Sequence, residues 1–175
     1  MTSREEVHIL ALFNDDQGLS QMANYVDENL PGINDERAFG AQLVVNEDDE
    51  IIGFNQRLLI GATTLSLREI VDRTHFLDGL AIASHIDRER FGIIGQLGFI
   101  PADLELDGLE ISPRIPLDKA RLEFGKDNNL TMVTFSDAHS LEDIGKSHTC
   151  FLIEKASVEE IRKALSGKES RRVVT

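Results

Sequence analysis

The residues best suited to chemistry in this sequence are Asp137 and His139, which follow an apolar stretch from Thr131 to Phe135. That stretch is rich in β-branched and aromatic residues, and it is predicted to be a buried strand. Residues two apart in an extended chain point to the same side, so the carboxylate and the imidazole are expected to meet beyond the strand's carboxyl end. Such donors suit a divalent metal ion, for example zinc, manganese or iron. The alternative is a turn-capping aspartate followed by an ordinary loop histidine.

A second metal-type donor, His85, stands in an equivalent place. It follows another short apolar run, Leu80 to Ser84, which is also predicted to be a buried strand. In α/β folds, chemistry collects at the carboxyl ends of parallel strands. Two strand ends that carry such donors favour one metal site over two unrelated loop residues.

Arg88 lies three residues after His85, and two interpretations of it stay open. Its planar guanidinium group suits a substrate phosphate. It equally suits a surface salt bridge with Asp87 or Glu89, its neighbours in the sequence.

Four segments of the chain resemble the polymerase-and-histidinol-phosphatase (PHP) superfamily, especially its small stand-alone bacterial members. They are SDAHSLEDIG, AIASHIDR, QLGFIPADLELDGLEIS and EEVHILALF, and the resemblance extends from Thr2 to about Thr149. It implies a distorted βα barrel that holds two or three metal ions and hydrolyses phosphoesters. The expected substrate is a small phosphorylated molecule or a nucleotide.

The resemblance also implies roles for individual residues. His8, His85, Asp137 and His139 are the expected metal ligands, with Asp137 and His139 as the catalytic pair, and the likeness favours Arg88 as a phosphate ligand. The family's His-x-His pair, its Asp-His element and its bridging glutamate have no counterpart here. A complete barrel usually needs about 200 to 250 residues, so we expect an incomplete barrel whose N-terminal strands are missing.

This departure from the family pattern supports a second hypothesis, in which the chain is an inactive remnant that serves as an interaction or structural module. Four ligands do not fill two six-coordinate ions, and a barrel without its first strands exposes a sheet edge. Such edges are normally covered by pairing. A homo-oligomer, or a partner that covers the edge, is therefore expected.

The composition limits the partners and the compartment. The net charge is −13, from 31 acidic and 18 basic residues, so the chain is expected to bind no duplex nucleic acid. The single cysteine, Cys150, excludes an intramolecular disulfide and is predicted to be a buried thiol. No apolar run is long enough for a bilayer, which predicts a cytoplasmic protein without membrane contacts.

Strands and helices alternate in the second half of the chain, as in a βα-layered domain. Residues 1–167 are predicted to form a single domain and residues 168–175 a flexible tail. Residues 34–57 are predicted to contain a hairpin insertion with an acidic turn. Ser66 and Ser157 each precede a glutamate by three residues, which predicts capping boxes at the start of two helices.

Overall fold

A computed structural model describes residues 1–125 and 129–174 as a mixed α/β fold. Its strands and helices are, in chain order, β1 (Ile9–Leu12), α1 (Asp16–Glu28), α2 (Glu36–Phe39), β2 (Leu43–Val45), β3 (Ile51–Phe54), α3 (Leu67–Phe76), β4 (Leu80–Ala83), α4 (Ile93–Leu97), β5 (Gly108–Ile111), α5 (Leu117–Phe124), β6 (Met132–Thr134), β7 (Cys150–Leu152), α6 (Val158–Leu165) and β8 (Arg172–Val174). Strands and helices follow one another as the sequence predicts. The incomplete barrel stays a prediction, as does the single domain over residues 1–167.

The central sheet has the strand order β1-β4-β5-β6. The pairs β4–β5 and β5–β6 are parallel, as predicted, but β1 runs antiparallel to β4, with Ile9 opposite Ala83. The amino end of β1 therefore lies at the carboxyl ends of β4, β5 and β6. His8 immediately precedes β1, so this strand direction carries it to the rim where His85 and Asp137 follow their own strands.

The sheet is buried on both faces, which explains why its strands read as continuous apolar runs. All four residues of β4 are buried and alternate between two apolar clusters. Ala81 and Ala83 pack into one cluster with α3, whereas Leu80 and Ile82 pack into the other with α6. The rim of the sheet is thus held from two sides.

The two predicted capping boxes have different outcomes. At α3, Ser66 accepts from the Glu69 amide and the Glu69 carboxylate accepts from the Ser66 amide, so that box is complete. At α6, Ser157 accepts from the Glu160 amide. The Glu160 carboxylate instead accepts from the Glu154 amide and pairs with Arg171 at 2.8 Å.

In the described residues, two antiparallel two-stranded sheets lie outside the central sheet. The first joins β2 and β3 within residues 34–57, and it is the hairpin that the sequence predicts. The second pairs β7 with β8, which follow one another in the chain with α6 between them, so residues 172–174 form a strand where a flexible tail was predicted. The physical reason is the Arg171–Glu160 pair, which anchors the start of β8 to helix α6. Thr175, the end of the predicted tail, lies outside the described residues.

Cys150 corrects a further expectation, because it is exposed in β7 and not buried. The apolar run that suggested burial belongs to a peripheral two-stranded sheet, where Phe151 of β7 and Val173 of β8 pack against the apolar cluster and Cys150 does not. No helix in the described parts of the chain has the length and apolar character needed to cross a bilayer.

His75 gives a test of the packing between α3 and the loop before β5. Its Nε2 lies 2.8 Å from Asp107 Oδ2, and this hydrogen bond raises the pKa of His75. A histidine whose pKa is raised by folding stabilises the fold fully below its unfolded pKa, and the stabilisation disappears as the pH rises through its folded pKa. His75→Gln is therefore expected to lower the free energy of unfolding by about 1 kcal/mol at pH 5.5 and by less at pH 8.5.

Urea denaturation at the two pH values measures this difference. His148→Gln is the matched control, because His148 is exposed and its replacement is expected to change neither value. A His75→Gln effect of equal size at both pH values would contradict the charged pair.

Candidate functional site

A cavity of about 320 Å³ opens at the carboxyl rim of the central sheet. Its polar lining combines two imidazoles with two carboxylates. The residues that line it are Met1, His8, Ile9, Leu10, Ser84, His85, Glu110, Phe135 and Asp137. Three of the four predicted metal ligands, His8, His85 and Asp137, therefore surround one space.

His8 is held between two rings. Its ring stacks on Phe91 with 4.5 Å between centroids and meets the His85 ring edge-on at 5.2 Å. The His8 amide also donates to the Phe91 carbonyl at 2.9 Å. Burial, followed by the neighbouring His85, lowers the pKa of His8 to about 4. The ring is accordingly neutral at pH 7, the form in which an imidazole binds metal.

His85 follows β4 with a φ of 30°, in the left-handed region that non-glycine residues rarely adopt. Its amide donates to Glu110 Oε2 at 3.3 Å, and burial lowers the pKa of the ring. The side chain is buried, yet its Nδ1 has no hydrogen-bond partner among the described residues. A buried ring nitrogen without a partner is unusual in a folded protein and calls for an explanation.

Asp137 follows β6 and also has a left-handed backbone, with a φ of 47°. Its Oδ2 lies 2.7 Å from an Arg88 terminal nitrogen. The two groups form an ion pair, but they are not aligned as a hydrogen bond, and Asp137 Oδ2 has no hydrogen-bond partner among the described residues. The carboxylate thus faces both the cavity and a cation.

The left-handed turn at Asp137 corrects the prediction that Asp137 and His139 point to one place. That prediction assumed an extended chain, and the turn redirects the residues after Asp137. His139 is exposed, does not line the cavity, and places its Nδ1 2.7 Å from the Asp137 carbonyl. The structure therefore joins Asp137 with His8 and His85, and leaves His139 outside.

Arg88 has a different ion-pair partner from those that the sequence suggested. Asp87 is engaged by Ser112, whose amide donates to it at 2.7 Å and whose hydroxyl donates at 2.5 Å. Arg88 crosses to Asp137 instead, which brings its guanidinium group to the edge of the cavity. This position is compatible with a role in binding phosphate.

Glu110 is a further component of the site, and the sequence does not predict it to be a metal ligand. Its place among apolar neighbours leaves two interpretations open, an acid that orients a ligand and a paired structural carboxylate. It lies in β5, is 5% exposed, and lines the cavity beside His85. Burial raises the pKa of its carboxyl to about 7. The available signal was a single acid within the apolar strand Gly-Leu-Glu-Ile, since an acid in a strand buried on both faces is uncommon.

The donor chemistry of the cavity fits a divalent metal ion, although the described residues form no ready-made metal cluster. Nowhere in residues 1–125 and 129–174 do three histidine, cysteine, aspartate or glutamate side chains converge as metal ligands. Yet His8 and His85 are neutral imidazoles and Asp137 is a carboxylate, a donor set known from metal sites. The partnerless nitrogen of His85 supports the fit.

Part of the chain matches a known protein family in sequence. Residues 118–169 match the PHP-associated family model, and this segment includes the SDAH motif. No curated protein matches the chain in sequence.

Two solved structures resemble the whole chain in fold. One is the lesion-specific endonuclease PfuEndoQ from Pyrococcus furiosus, with a TM-score of 0.67 and 19% identity over 98% of this chain. The other is Endonuclease Q in complex with a 27-mer duplex substrate that has an abasic lesion at the active site, with a TM-score of 0.65 and 20% identity over 98% of this chain. The chain spans only 38% and 39% of those two proteins.

These relatives correct two sequence-based expectations. The small phosphorylated or nucleotide substrate is wrong, because the similar structures are lesion-specific endonucleases. The exclusion of duplex nucleic acid is wrong as well, because one of them was solved with a duplex substrate. The net charge is a poor guide to DNA binding because it averages over the whole protein surface. The phosphate backbone of a bound nucleic acid responds only to the charges within one Debye length, roughly 10 Å.

PHP enzymes typically use divalent metal ions, which agrees with the donors that surround the cavity. The PHP-associated match covers residues 118–169, whereas the likeness to the two endonucleases is one of fold and covers 98% of the chain. Residues 118–169 therefore match the PHP-associated family in sequence, and this match supports the resemblance of the chain to PHP proteins.

Proposed function

We propose that this chain is the hydrolytic part of a metal-dependent DNA endonuclease that cuts a phosphodiester bond beside a lesion in duplex DNA. Both similar structures are endonucleases, which supports an enzyme over a non-catalytic module. The duplex with an abasic lesion bound to one of them supports a damaged DNA substrate.

The observation that carries the proposal is a concentration of unsatisfied polar atoms. Five buried side-chain nitrogen or oxygen atoms lack a hydrogen-bond partner in the described chain, and three of them belong to His85, Arg88 and Asp137. Buried polar groups without partners are rare, and where they cluster an additional ligand is the simplest explanation. A cation satisfies His85 and Asp137, whereas an anion satisfies Arg88.

His8, His85 and Asp137 are the residues of this chain that would hold the metal ion. When bound, a divalent ion supplies Lewis-acid activation of the phosphate and lowers the pKa of a bound water. The choice among zinc, manganese and iron is open to experiment, because imidazole and carboxylate donors serve all three.

Arg88 binds the phosphate in this proposal, and its present partner explains how. A guanidinium group pairs with a phosphate as readily as with a carboxylate. When Arg88 moves from Asp137 to the phosphate, the Asp137 oxygen is released toward the cavity. Glu110 acts through the His85 backbone, because it accepts the amide of that residue and fixes the turn after β4.

The experiment compares two 27-mer duplexes of the same sequence, one with a single abasic site and one undamaged. The chain is first treated with EDTA and then supplied with Mn²⁺ or Zn²⁺. We expect strand cleavage at the abasic site, only with metal present, and a loss of at least about 100-fold in His85→Ala. A loss of about 100-fold is the upper end of the range for residues that only orient a metal ligand, so a larger loss is expected for a residue that binds the metal itself.

An abasic strand also breaks by β-elimination without an enzyme, so the ends of the product must be examined. Hydrolysis of a phosphodiester leaves a phosphate on one fragment and a hydroxyl on the other, with no unsaturated sugar. Cleavage that persists in His85→Ala, or that gives only elimination products, would contradict the proposal. His148→Ala, a replacement at an exposed histidine, is the matched control.

A further inference from the structure

A second pocket, of about 490 Å³, lies beside the candidate site. Three arginines and one aromatic ring give it its character. It is lined by Asp87, Arg88, Glu89, Arg90, Phe91 and Arg114. Two of these residues also contact the site, since Arg88 pairs with Asp137 and Phe91 stacks on His8.

The positive charge of this pocket is only partly neutralised. Within residues 1–125 and 129–174, neither Arg90 nor Arg114 has a carboxylate within ion-pair distance, and both are exposed. Asp87 is turned away toward the Ser112 amide and hydroxyl. Glu89, which is exposed, remains the opposing carboxylate of the lining. Two guanidinium groups thus face solvent beside the site in a chain whose net charge is −13.

The backbone of the pocket is built to hold these arginines near one another. Arg90 belongs to the segment between β4 and α4, and Arg114 to the segment between β5 and α5. The Asp87–Ser112 hydrogen bonds tie the two segments together, and the Arg114 amide donates to the Ser112 hydroxyl at 3.4 Å. Gly92 allows the first segment to fold tightly, because a Cβ there would lie 2.4 Å from the Arg88 carbonyl oxygen.

We infer that Arg90 and Arg114 bind phosphates of the DNA strand that flank the phosphate held by Arg88. The inference rests on the proposed function and specifies where the strand lies. Guanidinium groups match phosphate oxygens in a planar, two-pronged geometry. Arg88 pairs with Asp137 of the cavity and also lines the neighbouring pocket with Arg90 and Arg114, so a strand whose scissile phosphate is held by Arg88 passes over the other two arginines. Contacts of this kind position DNA without reading its sequence.

The test is binding of a fluorescein-labelled 27-mer abasic duplex in EDTA, followed by anisotropy at several salt concentrations. Each phosphate contact contributes roughly 0.9 to the slope of log affinity against log salt. The Arg90→Gln/Arg114→Gln variant is expected to show a slope whose magnitude is smaller by about 1.8, because two phosphate contacts are lost. Its binding is expected to be weaker by at least about tenfold in 0.1 M salt. Arg37→Gln/Arg172→Gln removes the same charge from exposed positions on α2 and β8, and is expected to leave the slope unchanged.

The inference is overturned if the Arg90/Arg114 variant keeps the wild-type slope, if both double variants lose affinity equally, or if the wild-type chain does not bind the duplex in 50 mM salt. Since EDTA removes metal, this result does not depend on hydrolysis. Wild-type turnover of bis(p-nitrophenyl) phosphate with Mn²⁺ tests the hydrolytic chemistry separately. An absence of that turnover with the arginine effect intact would count against the proposed function alone.

Discussion

Replacing Asp137 with asparagine is expected to abolish metal-dependent cleavage, with a fall of at least about 100-fold in rate and in affinity for Mn²⁺. The substitution keeps the shape of the side chain but removes the negative charge that a hard cation needs. It also removes the ion-pair partner of Arg88, which lies 2.7 Å away. Asparagine tolerates a left-handed backbone, so the φ of 47° at this position is retained without added strain.

Cleavage assays and calorimetric titration with Mn²⁺ measure the two losses. Asp143→Asn is the matched control from the same loop. Asp143 pairs with Lys146 at 2.8 Å at the surface, and its replacement is expected to affect neither quantity. If Asp137→Asn bound Mn²⁺ as tightly as the wild-type chain, Asp137 would not be a ligand, and the ion pair with Arg88 would be its whole role.

Replacing Glu110 with glutamine is expected to change the free energy of unfolding of the metal-free protein in a pH-dependent way. Relative to the wild-type chain, the variant is expected to be more stable at pH 8 than at pH 4.5, by about 3 kcal/mol. Burial raises the pKa of this carboxyl from 4.5 to about 7, and one pKa unit corresponds to about 1.36 kcal/mol. Between those two pKa values the unfolded chain ionises and the folded chain stays protonated. Wild-type stability therefore falls as the pH rises from about 4.5 to 7.

Glutamine does not titrate and still accepts the His85 amide, so the variant removes only the ionisation. Urea denaturation in EDTA at pH 4.5 and pH 8 measures the change. Glu123→Gln, at an exposed position of α5, controls for the removal of one negative charge. If the free energy of unfolding of Glu110→Gln changed with pH as much as that of the wild-type chain does, Glu110 would not be the titrating group.

The sequence predicted the strand-end positions of the site because those positions depend on local patterns. Leu80 to Ser84 and Thr131 to Phe135 are apolar runs of strand length, and β4 and β6 form within them. Parallel pairing through β5 then brings the residues after each strand to the same rim. The placement of His85 and Asp137 at one cavity results from these two facts.

The details that decide which side chains meet were not accessible from local patterns. The direction of β1 depends on a pairing with residues roughly 70 positions away, and it brings His8 to the rim from the start of its strand. The left-handed turn at Asp137 sends His139 outward, although the Asp-x-His spacing suggested convergence. Similarly, Asp87 is hydrogen-bonded to Ser112, a residue distant in the sequence, and Arg88 pairs with Asp137 and not with its neighbour Asp87.

The backbone at His85 and Asp137 has a consequence for any attempt to make this protein more heat-resistant. Each holds a φ angle that suits glycine better than its own side chain, and such positions cost of order 1–3 kcal/mol. A library screened for melting temperature alone would enrich glycine at both places. The most thermotolerant clones would therefore be the ones that had discarded the imidazole and the carboxylate, so thermal selection here has to be paired with a screen for function.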